Sequence, residues 1–526
     1  MSFEVWNVPM VRLLLVCLMA AAWFASSTSS HERVRLLLPG FLAAYALLQI
    51  CIVGFLVFNH APYPMNLEAM ELTVLATVRR VVEGLPIYVA PSSAFIPLAY
   101  NPFFYYLALP FVSLFGESLL ALRIEAITGL LGCGAVVFLA VRRETSSSWW
   151  ATIAVGLFAA SYQAMDSYLD NAHADSWMLF CALLGVYLVS LHRSLRWDLV
   201  GVGLGVISFW FKQPGAVLCG GLVVFLTLRR SRRDILAIWT AALLFGPVLY
   251  ALAPGGWFGP LFHRYTWDIP RGWMSINVAT FRRLGAYLLR NYGLLALLGM
   301  LAWLFRIKRL RQENAWLFTL PFAALTALTG AMDAESNNNV FIPLSTWLIV
   351  AGVIVLARTT KSKPRLFSWR VPQLVAGASF VLLVFNPVGL LVSSDSGRAY
   401  RDLQGYLTTL GGAVYAPWIG PLQDGYEFYP AVHWVPMTDV VRRPGLDLNQ
   451  SPFVHDILDP VSNPSGQAYL LMNYPLENDS ALKYLGQDYV LDKDLGARFQ
   501  PLSTLPHRYD LLWPRFLYVH RPSPPS

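Results

Sequence analysis

The chain has 526 residues, 56% hydrophobic and only 13% charged, with a positive mean hydropathy; this excludes an ordinary soluble protein and describes a polytopic α-helical membrane protein. Lys plus Arg exceed Asp plus Glu by 39 to 31, an excess that in a membrane protein marks the cytoplasmic loops, and no basic run interleaved with aromatics suggests a nucleic-acid partner. The five cysteines, Cys17, Cys51, Cys133, Cys181 and Cys219, all lie in apolar runs without CxxC or Cys/His spacing, so neither disulfides nor cysteine-held metals are expected.

Twelve runs are apolar and long enough to be read as spans: 9–28, 36–58, 119–141, 149–163, 176–191, 198–211, 215–228, 235–253, 286–305, 314–330, 339–357 and 371–391. The first is read as a retained helix rather than a secretory signal, because it is long and lacks a clear cleavage site. Basic clusters follow every odd-numbered span: Arg33/Arg35, Arg142/Arg143, Arg193/Arg196, Arg229 to Arg233, Arg306 to Arg311 and Arg358 to Arg370. This alternation is what a preference of Lys and Arg for the inner side produces.

The stretch 59–118 is then one external loop. Its apolar piece NPFFYYLALPFVSLFG, 101–116, would invert every later loop if it crossed, and Pro102, Pro110 and the clustered Phe and Tyr suit an interfacial helix. A second surface helix is expected to start after Asn66, a good N-cap, with Leu67, Met70, Val74, Val78, Val81 and Leu85 as its apolar stripe. At 100° per residue Glu68 lies at the edge of that stripe and Glu71 within it. Glu68 in the first turn also suits the helix dipole. Glu71, turned toward apolar surroundings, needs either a partner such as Arg123 or a chemical task.

The other external pieces are 164–175, Lys212 to Pro214, 254–285, 331–338 and everything after about Val392, and carboxylates gather there. Residues 1–392 are thus read as a membrane module and 393–526 as a small external α/β domain, with helical RAYRDLQGYLTTL and ENDSALKYLG and strand-like AVYAPWI, DYVLD and RFLYVHR. In that domain Trp418, Tyr426, Tyr429 and Trp434 either stack on sugar rings or fill a small core.

Several motifs recur in the order seen in a known superfamily. Glu71 opens the first external loop, followed by VRR (Val78 to Arg80), GLPIY (Gly84 to Tyr88), YNPFFYY (Tyr100 to Tyr106) and SLFGES (Ser113 to Ser118). AHADSWMLFCALLGVYLV places Asp175 at the head of a helix, FWFKQPGAVL holds Lys212 and Gln213 in a turn, and NNNVFIPL spans Asn337 to Leu344. Over roughly residues 36–357 the chain resembles the membrane glycosyltransferases of the GT-C fold, particularly the relatives of protein mannosyltransferases and aminoarabinose transferases. Where those often have Asp before the Glu, this chain has Met70, which leaves open whether Glu68 substitutes for the missing acid.

The resemblance implies a GT-C-like glycosyltransferase that takes a sugar from a polyprenyl-phosphate donor to an acceptor hydroxyl on the external face. The acceptor is a glycan, a lipid or a protein, and membrane lipids surround the chain. Glu71 is then the catalytic base, with Glu68 and Asp175 beside it. Lys212 stabilises the departing phosphate, and Gln213, Tyr100, Asn101, His173, Asn339, Arg79 and Arg80 bind substrate; Arg264, Arg271 and Arg282 are further candidate cations. No cofactor is required, although Glu68, Glu71, His173 and Asp175 are donors suited to Mg or Mn. The implied location is an inner (plasma) membrane with the C-terminal domain in the periplasm. Competing classes are a secondary transporter, which would show related halves with broken helices, and an inactive assembly subunit.

Overall fold

Each of the twelve apolar runs forms a helix. Among the described residues six helices are long and apolar enough to cross a membrane: Val8–Ser26, Leu37–His60, Leu119–Thr145, Arg232–Leu252, Val278–Phe305 and Asn338–Thr359. The others, Ser148–Ala160, Asp175–Ser190, Leu195–Phe211, Gly215–Thr227, Ala315–Ala331 and Arg370–Leu382, have 13 to 17 residues, which at 1.5 Å per residue makes about 20–25 Å. The structure is a computed structural model that describes every residue except 1–6, 29–33, 35, 192–193, 254–257, 307–313, 363–369, 444, 504–512 and 522–526. The basic residues Arg33, Arg35 and Arg193, and those within 307–311, lie outside the described residues.

Small residues set how closely the helices approach. Asp175–Ser190 and Leu195–Phe211 meet at Gly185 and Gly201, where a Cβ on Gly185 would come within 2.6 Å of the Gly201 carbonyl oxygen, the kind of backbone approach that only small side chains allow. The 101–116 stretch forms a separate helix, Phe103–Phe115, containing Pro110.

The other helix of the 59–118 segment starts later than the sequence pattern suggests, at Glu71 rather than after Asn66, and ends at Val82. Asn66 still serves it from outside the helix: its Oδ1 accepts from Leu72 N at 2.9 Å, while its Nδ2 donates to Ala69 O and Ile419 O. Nor does the helix lie open on a surface. Glu71 through Leu75, Thr77 and Val78 are all buried, so most of its circumference is covered and only the last turn is open.

The cover is the C-terminal unit. After the helix Ser396–Thr408 come four strands, β1 Ala413–Tyr415, β2 Ala468–Met472, β3 Tyr489–Asp494 and β4 Phe516–His520. The sheet order is β1-β2-β4-β3, with β1 parallel to β2 and the other pairs antiparallel. Successive side chains in a strand point to opposite faces, and here the two faces belong to different cores. Val414, Leu471 and Leu517 join the core of the membrane helices; Tyr415, Leu470, Met472 and Tyr518 build a second core with Trp418, Met437 and Val454. The unit therefore completes one of its two cores on the 59–118 segment and the apolar helices. Polar ties reinforce the contact: Tyr63 Oη donates to Leu502 O, and Arg79 donates to the carbonyls of Leu422 and Gln423.

β2 is buried along AYLLM and shows no alternation, so nothing in its pattern separates it from a buried helical segment. The expected helix ENDSALKYLG is instead two short turns, Leu476–Asn478 and Lys483–Gln487.

Candidate active site

The site grows from two acidic residues three positions apart. Glu71 is fully buried. Its Oε1 accepts from Arg123 Nε (2.9 Å) and Ala172 N (2.8 Å), and its Oε2 from Arg123 Nη2 and Leu67 N (both 2.6 Å). Arg123, also fully buried, spends its other donor capacity on the carbonyls of His60, Tyr63 and Met65. A carboxylate offers about four acceptor sites, and Glu71 has four donors. This knot ties the start of the helix Glu71–Val82 to Leu119–Thr145 and to the 164–175 loop, and Glu71 does not line the cavity described next.

Glu68 does. It sits in the irregular segment before the helix, 2% exposed, where it accepts from Met70 N (2.9 Å) and Tyr168 Oη (3.1 Å). It borders a cavity of about 860 Å³ whose wall also includes Tyr100, Lys212, Gln213, Asn339 and, from the C-terminal unit, Trp418, Trp434, Asp439 and Arg442. That volume falls within the range of about 300–1,000 Å³ usual for ligand sites. Burial raises the Glu68 carboxyl above the usual 4.5, against the opposing pull of the nearby His173 and the Met70 amide.

The cation of the site stands at a helix break. Leu195–Phe211 ends as Lys212 turns to an extended conformation (φ −155°, ψ 142°), and Pro214 caps the next helix, Gly215–Thr227. The turn is tight enough that a Cβ at Gly215 would meet Phe209 N and Ser208 C at 2.3 Å, so glycine is required there. Lys212 Nζ reaches Asp175 at 2.9 Å (Oδ1) and 2.8 Å (Oδ2), and stands 5.4 Å from the Tyr100 ring centre. Asp175, the first residue of its helix, is also bonded by His173 Nδ1 at 2.6 Å and, more weakly, by Asn339 Nδ2 at 3.4 Å. His173 packs edge-on to Tyr100 and Tyr168, and its buried Nε2 has no partner among the described residues.

Not every candidate residue converges here. Gln213 lines the cavity while donating to Ala99 O and Thr266 O, both at 3.2 Å. Asn101 is buried and spends its amide on Phe209 O. Arg79 ties the helix to the C-terminal unit, with Glu117 3.4 Å away, and Arg80 donates to Pro86 O beneath Phe95. Neither arginine borders the cavity, and among the further cations Arg271 does, whereas Arg264 and Arg282 do not.

The wall contributed by the C-terminal unit was not foreseen as a group. Arg442 pairs with Glu335 (2.7 Å), Asp333 (3.2 Å) and Asp439 (3.4 Å), closing residues 331–338 against that unit. Burial pushes the Asp439 carboxyl up to about 7 despite Arg442, with Asp333, Glu335 and Glu68 adding to the rise. An Asp and an Arg three residues apart beside tryptophans were the available signal.

Among the described residues no three His, Cys, Asp or Glu side chains are placed to hold a metal ion. Of the four donors suited to Mg or Mn, Glu71 is engaged by Arg123 and Asp175 by Lys212 and His173.

No protein-family model matches the chain, and no curated protein matches it in sequence. Solved structures do. The crystal structure of ArnT from Cupriavidus metallidurans in the apo state aligns over 92% of this chain and 99% of its own, at 11% identity and a TM-score of 0.52. The same protein bound to undecaprenyl phosphate aligns over the same shares at 12% identity and a TM-score of 0.50. A likeness of this extent at so low an identity is a likeness of fold, and the chain has the GT-C fold of membrane glycosyltransferases.

Proposed function

We propose that the chain is a membrane glycosyltransferase that moves a sugar from a polyprenyl-phosphate donor to an acceptor hydroxyl on the external face. On this reading it crosses an inner membrane twelve times, residues 1–392 forming the membrane module and 393–526 an external, periplasmic domain. The observation that carries the proposal is the cavity that Glu68 and Lys212 both line, with Asp175 bonded to Lys212 from outside its wall. The solved ArnT complex with undecaprenyl phosphate supports the donor class.

The geometry favours Glu68 as the proton acceptor and assigns Glu71 to holding the loop, because four donors already occupy Glu71. In the step, the Glu68 carboxylate takes the proton of the acceptor hydroxyl while its oxygen bonds to the anomeric carbon. The bond from that carbon to the phosphate oxygen breaks, its electron pair leaving with the lipid phosphate, and a single displacement inverts the centre. Lys212, oriented by Asp175 and His173, stabilises the charge gathering on the phosphate. Tyr100, Gln213 and Asn339 shape the space around it.

The test is turnover of radiolabelled undecaprenyl-phosphate sugars, pentose and hexose, by membranes containing the full chain. Turnover is expected with the wild type and reduced by about 10²–10⁴-fold in Glu68→Gln, the usual scale for a lost general base. Wild-type turnover in Glu68→Gln would remove the base assignment. Uptake of sugar into proteoliposomes without transfer would replace the enzyme by a transporter.

A further inference from the structure

The cavity wall has two dissimilar parts. One holds Lys212 and Gln213 at the helix break. The other is an aromatic wall on the C-terminal unit, built with more rigidity than core filling requires. Trp418 and Trp434 stack with ring centres 4.5 Å apart and planes inclined by 19°. Both indole N–H groups donate to one carboxylate: Trp418 Nε1 to Asp479 Oδ2 at 3.2 Å and Trp434 Nε1 to Asp479 Oδ1 at 3.1 Å. Asp479 is 1% exposed and is itself fixed by Tyr474 Oη and by the amides of Ala481 and Leu482. With their polar edges tied to Asp479, the two rings border the cavity with carbon surface.

Beside this surface stand two polar groups suited to hydroxyls. Asp439 lines the cavity, and so does Arg442, whose buried Nε has no partner among the described residues. Pre-positioned aromatic carbon flanked by a carboxylate and a guanidinium is the chemistry that recognises a sugar ring. The C–H-rich face of the ring packs on an electron-rich indole, and the hydroxyls bond to the charged groups. A polyprenyl or acyl chain would use the indoles but offer no hydrogen bond to Asp439 or to Arg442 Nε.

We propose that Trp418 and Trp434, with Asp439 and Arg442, form a saccharide subsite that holds the acceptor, so that the acceptor is a glycan rather than a protein side chain. The inference rests on the transferase reading for the word acceptor; the presence of a sugar subsite does not. Lys212 and Gln213 lie at the break between two apolar helices and the aromatic wall on the C-terminal unit; on this reading the wall takes the acceptor's ring rather than the one attached to the donor phosphate.

The experiment is saturation-transfer NMR on the full chain in nanodiscs, with methyl glycosides of mannose, glucose, galactose, arabinose and N-acetylglucosamine as probes. At least one is expected to bind, with affinity falling at least tenfold in Trp434→Ala and in Asp439→Ala, which leaves the indole stack in place. Binding should persist in Glu68→Gln and in the presence of undecaprenyl phosphate or an undecaprenyl-phosphate sugar. No binding by any probe, or undiminished binding in both variants, overturns the subsite. Displacement by the lipid-linked sugar but not by the bare lipid phosphate assigns the wall to the donor's sugar and overturns the acceptor reading. Because Glu68→Gln is read by binding here and by turnover above, loss of one result leaves the other standing.

Discussion

Two carboxylates three residues apart occupy opposite kinds of surroundings. The knot around Glu71 and Arg123 is dry and satisfied: an ion pair of fully buried side chains with every carboxylate acceptor site met. The cavity lined by Glu68 and Lys212 keeps polar groups in reserve: Glu68 accepts from two donors, and beside Asp175, outside the cavity wall, His173 Nε2 has no partner among the described residues. Both regions hold charge inside an apolar protein, and burial alone does not tell them apart. Saturation does: a charge with all its partners supplied by the chain fixes structure, and one with partners still owed can meet a substrate.

The largest effect expected from breaking this contrast is on the knot. Arg123→Met leaves the Glu71 carboxylate buried without its cation, which costs about 3–5 kcal/mol; little folded protein should elute on size exclusion. The double variant Arg123→Met/Glu71→Leu should recover part of that loss. Next comes the pair of single substitutions. Glu68→Gln should abolish most turnover at an unchanged thermal midpoint, whereas Glu71→Gln should lower the midpoint, because the new amide presents donors to the amides of Leu67 and Ala172 or to Arg123. A variant Glu71→Gln of wild-type stability would break the contrast.

Lys212→Met should lower turnover by about 10²–10³-fold, the scale of a lost group opposite a developing charge, while leaving methyl glycoside binding intact. The smallest effect is the pH dependence. Glu68 works ionised, and burial raises its pKa above 4.5, so kcat/KM should fall as the pH drops through an inflection higher than that of an ordinary glutamate. An inflection at or below 4.5, measured with the radiolabelled donor, would contradict the buried setting of this carboxylate.

Much of the fold was legible in the sequence because twelve apolar runs carry a strong one-dimensional signal, and all twelve are helices. The separate helix at 103–115 was legible from its apolar, aromatic-rich run. Less legible was anything decided by contacts across the chain. The 3.6-residue period placed Glu71 on an apolar face correctly, yet the same pattern serves a proton acceptor and an ion pair with Arg123. The residue that distinguishes them lies 52 positions away. Asn66 reads as a helix start because its side chain caps, and it does bond Leu72 N, from a loop rather than from the first turn. Asp175 and Lys212 were each legible through their own motifs, but the bond between them was not. Asp439 and Arg442 were not, since their meaning depends on the sheet unit folding back over residues 331–338.

The most direct measurement of the central contrast is carbodiimide labelling of the full chain in nanodiscs, with adducts located by mass spectrometry. Adduct is expected on Glu68, diminished by added undecaprenyl-phosphate sugar, and none on Glu71. Adduct on Glu71 with Glu68 unmodified would contradict the account.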